Sequence, residues 1–401
     1  MSDVKAETYF PLNSLLAQWK DNFGQTAQRE FYWVAAPGRV NLIGEHTDYH
    51  GGFVFPAAID LKTFILASPR ADSKFNCYSI NMSEKQSVDL SKVKPGDVDG
   101  WMRYVAGSAW VLKDQRHSIN GADIVIMGSI PFGGGLSSSA SVEVGIIQMF
   151  DLIHKLNLTK GEVAKLGQMA ENNFVGVPCG IMDQFASAAC EESSALLLDC
   201  RSLETKSVKI PEDWTIVVLD TGVHHELASS EYAKRQQECA IGLDAIQKNH
   251  PEVKLLRDAD IKMLEEVAED VGELVYRRVL HVIEENSRAI QFYYALKDAN
   301  ESVAFKLMAE SHLSLKDNYE VSCKELDKAV ELASTIDGII GCRMTGGGFG
   351  GSSVNLVKAD YAEKFRVKLE DEYRKATNVK GSVFLLKPSI GVQGGNIGLV
   401  K

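Results

Sequence analysis

Three short segments carry residue types at spacings that could do chemistry. The first is GRVNLIGEHTD, residues 38–48, which gathers Arg39, Asn41, Glu45, His46, Thr47 and Asp48 behind an apolar run. Four consecutive polar side chains after Gly44 offer donors and acceptors suited to the several hydroxyls of a sugar, although alone such a cluster also fits a charged surface turn. The second is PFGGGLSSSASVEVG, residues 131–145, which follows the run IVIMGSI and precedes a helical pattern. Gly133, Gly134 and Gly135 let backbone approach a ligand closely, and Ser137, Ser138 and Ser139 bring hydroxyls and free N–H groups to the positive end of a helix. Such a place binds an anion, with phosphate the expected one. The segment lacks the lysine of a GxxxxGK[ST] loop, so charge neutralisation is expected from Mg²⁺.

The third segment is GGGFGG, residues 346–351. Gly346, Gly348 and Gly351 match GxGxxG formally, but a dinucleotide fingerprint opens a helix and the residues that follow, SSVNLV, read as a strand. What remains is a close-approach loop between Thr345 and Ser352 that either lines a ligand or turns a hairpin. Nothing resembles HExxH or paired metal histidines, so the nine His read as surface or core residues, with the adjacent His224 and His225 diverging.

These segments need elements to position them. A helix is expected over 11–30, and short apolar or β-branched runs at 31–43, 53–59, 63–68 and 122–130 read as strands. Val142, Ile146, Phe150 and Ile153 repeat at helical spacing from Ser137 to about Leu156, and a second helical run covers roughly 161–175. Strands are expected at 194–199 and 214–220, almost continuous helix over 227–336, and strands again at 339–344, 352–358 and 382–387. Strand and helix mix without regular βαβ alternation, so layered α+β is expected rather than a doubly wound parallel sheet.

The chain has 401 residues, enough for about two domains with proper cores, and a boundary near residue 210 is the best placement, giving segments 1–210 and 211–401. Hydrophobic residues at 45% and charged residues at 24% exclude wholesale disorder. Lys plus Arg number 43 against 54 Asp plus Glu, a net charge of −11, which is the wrong sign for a dedicated binder of nucleic acid or anionic membrane. Small-molecule substrates, no nucleic acid and no membrane are therefore expected. Seven cysteines, an odd number with no CxxC spacing, fit a reduced cytoplasmic setting, and neither a signal peptide nor a spanning stretch is visible.

Taken in order, GRVNLIGEHTDYHGG, IPFGGGLSSSAS and RMTGGGFGGSSV resemble the three signature blocks of the GHMP small-molecule kinases. The first block narrows the resemblance to the galactokinases. Gly176–Cys190 (GVPCGIMDQFASAAC) and Leu227–Cys239 (LASSEYAKRQQEC) agree, so the resemblance runs from about residue 30 into the C-terminal part of the chain. It implies an α+β, two-domain GHMP kinase fold: an N-terminal domain like domain 2 of ribosomal protein S5, a C-terminal ferredoxin-like domain, and the active site between them.

It also implies an enzyme that uses ATP to phosphorylate the anomeric C1 hydroxyl of α-D-galactose, giving α-galactose 1-phosphate and ADP at the first phosphorylation of galactose catabolism. On this resemblance Glu45, His46, Thr47, Asp48, Gly180 and Tyr232 form the sugar site, with Asp48 and Glu45 accepting hydrogen bonds from hydroxyls. Gly133, Gly134, Gly135, Leu136, Ser137, Ser138 and Ser139 wrap the ATP phosphates, Ser139 and Glu171 hold Mg²⁺, and Ser79 with Trp101 or Tyr104 lies near the base. Asp183 corresponds to the catalytic base and Arg39 to the positive group beside it. A monomer is expected. A kinase for N-acetylgalactosamine or arabinose, or a galactose and ATP sensor that acts by binding a protein, are the alternatives.

Overall fold

The computed structural model describes residues 10–24, 28–224 and 228–399. Residues 1–9 of the segment read for a signal peptide, together with His225 and Leu227, lie outside the described residues. The first helix, α1 (Leu12–Phe23), is shorter than the expected 11–30 because Gly24 takes φ 84° and its N–H closes on the Lys20 carbonyl. There follow β1 (Glu30–Asn41), β2 (Phe53–Val54), β3 (Pro56–Pro69), β4 (Lys74–Ser79), β5 (Glu84–Asp89), α2 (Met102–Asp114), β6 (Ala122–Gly128), α3 (Ser138–His154), α4 (Lys160–Met169), α5 (Met182–Ala189), β7 (Ser194–Asp199) and β8 (Thr205–Lys209). The second half runs β9 (Trp214–His224), α6 (Ala228–Asn249), α7 (Ile261–Glu266), α8 (Ala268–Lys297), α9 (Glu301–Leu313), α10 (Lys324–Ala333), β10 (Ile339–Thr345), β11 (Gly350–Lys358), α11 (Ala362–Thr377), β12 (Ser382–Leu386) and β13 (Gln393–Leu399). The architecture is α+β, as the mixed element order implies.

The first large sheet has the order β13-β1-β3-β6-β4-β5 and is antiparallel except for the β4–β6 pair. Alternate side chains of β1 point to opposite faces, and both faces are covered. Val34 and Ala36 join the core formed with α2 to α5, whereas Phe31 and Ala35 pack under Trp19 of α1. The runs at 53–59 and 63–68 were expected as two strands. They form instead β2 and one fourteen-residue strand, β3, which bends at the irregularity opposite Pro37 and Arg39 without breaking. The second sheet, β10-β11-β9-β12, buries one face under α10 and α11 and turns the other toward Phe292 and Ala295 of α8. That second face shares a core with Val40, Leu42 and Ile43 of the first half, so the two halves are joined by apolar packing rather than by a linker alone. A small sheet, β2-β7-β8, completes the set.

Lys209 ends one sheet and Trp214 begins another, but β13 returns from the far end of the chain to pair with β1.

Candidate active site

Arg39 is aimed by a local irregularity of β1. The register with β3 shifts between Pro37 and Arg39, and a Cβ on Gly38 would sit 2.5 Å from the Leu136 carbonyl, so glycine is required at that approach. The Arg39 N–H then donates to that same carbonyl at 3.1 Å, which fastens the strand to the glycine loop before α3. The Arg39 side chain is 4% exposed. Its Nη1 donates to the Gly135 carbonyl at 2.6 Å, while Nε and Nη2 form a two-pronged pair with Asp183 at 2.7 and 2.8 Å. Asp183 occupies the first turn of α5 and remains 31% exposed, so its carboxylate is fixed from behind and open in front.

The loop 131–137 approaches the hairpin loop between β10 and β11. Ser352 donates to the Gly134 carbonyl at 2.6 Å, and a Cβ on Gly346 would meet the Gly135 carbonyl at 3.5 Å. GGGFGG is thus a hairpin turn that also lines the cavity, both readings of the segment being satisfied at once. Ser137 takes φ 60° just before α3, and its hydroxyl donates to Asp183 Oδ2 at 2.5 Å. That hydroxyl, expected on a phosphate, is committed to the carboxylate; Ser138 and Ser139 form the first turn of α3.

Behind this loop Glu171 opens a π-turn, Ala170–Val175, of the kind often found at functional sites. Gln184, the neighbour of Asp183, donates from Nε2 to Glu171 Oε2 at 2.7 Å and to Glu143 Oε2 at 2.9 Å, and the Cys179 thiol donates to Glu171 Oε2 at 3.4 Å. Ser139 also bonds to Glu171. Burial, with Asp183 nearby, pushes the Glu171 carboxyl up to about 7 against these neutral donors. A carboxylate and a hydroxyl, both hard oxygen donors and short of positive charge, fit Mg²⁺, which takes few protein ligands and fills its remaining positions with water and phosphate oxygens.

The sugar turn is built around Glu45, which is 1% exposed. Its Oε2 accepts from Asn41 Nδ2 at 2.5 Å and Arg343 Nη1 at 2.6 Å; Oε1 accepts from the Gly346 N–H at 2.8 Å and lies 3.2 Å from Thr345 Oγ1. The single proton of the Thr345 hydroxyl lies nearer the Asn41 carbonyl, at 2.9 Å, so three donors hold the carboxylate. Glu45 therefore ties this turn to the third glycine block while it also lines the cavity, where it is expected to receive sugar hydroxyls. Thr47 is fully buried, and its hydroxyl serves the Gly44 and Phe53 carbonyls of its own turn, so it does not line the cavity.

Glu45, His46, Asp48, Gly180 and Tyr232 do line it, beside Arg39 and Asp183, around a space of about 260 Å³. Asp48 accepts backbone N–H groups from Tyr49 and from Met182 at the start of α5, yet burial, then the nearby Asp183, pushes its carboxyl up to about 6. A Cβ on Gly180 would fall 1.7 Å from Asp48 Oδ2. Gly180→Ala is expected to displace Asp48 and raise the KM for sugar at least tenfold, about 1.4 kcal/mol of binding, with steady-state kinetics as the check; an unchanged KM would show that Asp48 does not touch the sugar.

Ser79, Trp101 and Tyr104 are not among the cavity residues. Ser79 ends β4 and accepts from the Met82 N–H at 3.3 Å, and Trp101 Nε1 donates to Glu84 at 2.8 Å. Arg343, Gln184, Glu143 and Cys179 were not singled out from the sequence. Arg343 and Cys179 sit inside blocks already noted, and their polar or reactive types amid glycine were the available signal.

Family comparisons agree with this geometry. The galactokinase galactose-binding signature matches residues 17–69, the GHMP kinases N terminal domain residues 103–191, and the GHMP kinases C terminal domain residues 293–375. A galactokinase of Roseiflexus sp. is 39% identical over 90% of this chain and 92% of its own, and one of Chloroflexus aurantiacus is 39% identical over 98% of each. The crystal structure of Lactococcus lactis galactokinase complexed with galactose superposes with a TM-score of 0.90 at 35% identity, covering 96% of this chain and 99% of that one. Methanococcus jannaschii mevalonate kinase, at 19% identity and a TM-score of 0.64, shares the fold. With 39% identity to a galactokinase over nearly its full length and a cavity walled by its first and third sequence blocks, the chain belongs to the galactokinases of the GHMP kinase family.

Proposed function

We propose that the cavity binds galactose and that the enzyme moves the γ-phosphoryl group of ATP to its C1 hydroxyl. The observation that carries this reading is the Arg39–Asp183 pair, which presents an anchored carboxylate to a cavity that also holds a second carboxylate, Asp48. Asp183 takes the proton of the C1 hydroxyl as that oxygen bonds to the γ-phosphorus and the bond to the bridging oxygen of ADP breaks. Arg39 and Ser137 hold the carboxylate in place, and the guanidinium offsets charge that develops between nucleophile and phosphate. Asp48, His46, Gly180 and Tyr232 orient the sugar, and the glycine loop 133–135 with the first turn of α3 receives the phosphates. Ser139 and Glu171 are the residues that would hold Mg²⁺, which when bound neutralises phosphate oxygens.

The test is a coupled ADP-release assay with Mg·ATP and galactose, N-acetylgalactosamine, arabinose, glucose or no sugar. Release with galactose and none with glucose is expected, because a wrong epimer leaves buried polar groups unpaired at ~1–3 kcal/mol each. Release that is no faster with galactose than without sugar would overturn the proposal.

A further inference from the structure

His46 sits at the end of a chain of hydrogen bonds that the phosphoryl-transfer chemistry does not use. Cys239 Sγ lies 3.4 Å from the Tyr319 hydroxyl, which lies 3.0 Å from the Tyr49 hydroxyl, which lies 2.8 Å from His46 Nδ1. Cys239 and Tyr319 are fully buried, and the Tyr319 carbonyl is clamped by Arg235 Nε at 2.7 Å. The His46 ring is 4% exposed and wedged against Tyr319, Tyr232 and Tyr49 at centroid distances of 4.8, 5.3 and 6.0 Å, so its two nitrogens cannot readily exchange places. Its other nitrogen, Nε2, is buried, has no hydrogen-bond partner, and belongs to a residue that lines the cavity.

Each hydroxyl in the chain has one proton, so all three bonds must run the same way. In one direction the chain ends by donating to the thiol sulfur, a weak acceptor, and His46 carries its proton on Nδ1. In the other the thiol is the source, and the chain ends on an imidazole nitrogen, a strong acceptor at a short distance. The thiol end is weak in either direction, so the short phenol-to-imidazole bond at the other end favours the second. That direction also leaves the N–H on Nε2. Burial, and then the nearby His281, hold the proton affinity of this ring well below the usual histidine range, so it is neutral and carries a single N–H.

We propose that Cys239, Tyr319 and Tyr49 are positioning residues that fix the tautomer of His46, so that Nε2–H donates to an oxygen of the bound hexose. The inference deepens the sugar-site reading and rests on it. Its consequence is that a sugar contact is set by groups that never reach the sugar, the farthest being a thiol three bonds away along the chain.

The test uses the full-length protein labelled with ¹⁵N-histidine, the His46 signals being assigned by their loss in His46→Gln. In the wild type an unprotonated Nδ1 and a protonated Nε2 are expected, and Tyr49→Phe should give a mixture of tautomers. The same variant should raise the galactose KM about tenfold, as expected for one lost hydrogen bond, with kcat within about twofold. Tyr49→Phe combined with Tyr319→Phe should be no worse than Tyr49→Phe alone, because both act through one nitrogen. Cys239→Ser should retain the wild-type tautomer, since a serine hydroxyl can take the thiol's place as the source. A protonated Nδ1 in a wild type that turns over galactose would overturn the relay alone, as would additive losses from the two phenylalanines. The expected tautomer in a protein without galactose-dependent ADP release would overturn the sugar-site reading instead.

Discussion

Asp183→Asn is expected to lower kcat by roughly 10²- to 10⁴-fold, the usual contribution of a positioned general base, while the KM for galactose changes by no more than a few-fold. The substitution keeps the shape of the side chain and its place in the first turn of α5. It removes the group that takes the C1 proton and replaces a charge-assisted pair with Arg39 by a neutral contact. Galactose binding should survive, because Asp48, Gly180 and Tyr232 are untouched. Steady-state kinetics together with calorimetric titration of galactose separate the two effects. A variant within tenfold of wild-type kcat would remove the base role and leave Asp183 as an anchor for Arg39.

Asp48→Asn is expected to make the protein worse at using galactose and harder to unfold. Burial and Asp183 hold the Asp48 carboxyl at about 6 rather than its ordinary 3.8. Between those values the folded protein retains a proton that the unfolded chain has lost, so stability falls as pH rises from about 4 to 6, and the cost stays in full at neutral pH. That cost is at most about 3 kcal/mol. Asparagine carries no such penalty, so at pH 7 the variant should be the more stable by up to that amount, and below pH 4 the two should converge. Loss of a charged acceptor should meanwhile weaken galactose binding roughly 10- to 100-fold. Urea denaturation at several pH values measures the first effect and calorimetry the second. Equal stability of the two proteins at pH 7 would show that Asp48 is not strained. The wild-type galactose KM should also rise as pH falls through about 6, since a protonated Asp48 accepts less well, and that break should be missing in the variant.

The parts of the site legible in the sequence were those written as local motifs. Glycine next to serine before a helical repeat marks the loop of 133–139, and a polar run after Gly44 marks the sugar turn. The assignment of Asp183 came from family resemblance, because a lone aspartate has no signature of its own. What could not be read was how motifs satisfy one another across the chain. Glu45 reads as a free ligand for sugar, and only the fold shows that Arg343 and the Gly346 N–H, some three hundred residues on, hold its carboxylate at the cavity wall. Ser137 reads as a phosphate donor, and only the fold shows that its hydroxyl reaches Asp183. Fold elements show the same division: the apolar runs of β1, β6, β7, β10 and β11 were found, whereas β5 (EKQSVD) and β13 (QGGNIGL) are polar or glycine-rich and become strands through their partners.

The pairing of β13 with β1 bears on how the protein is made. Glu30 pairs with Leu399, so the outer neighbour of the strand that carries Arg39 comes from about 370 residues further along the chain. Every motif residue of the site is synthesised before that sheet can close. Until β13 is made, β1 presents an unfilled strand edge, and such an edge invites pairing with other chains. Completion of the first sheet is therefore limited by a very long-range contact, the kind that slows folding most, and competence to phosphorylate should lag behind synthesis of the motif residues.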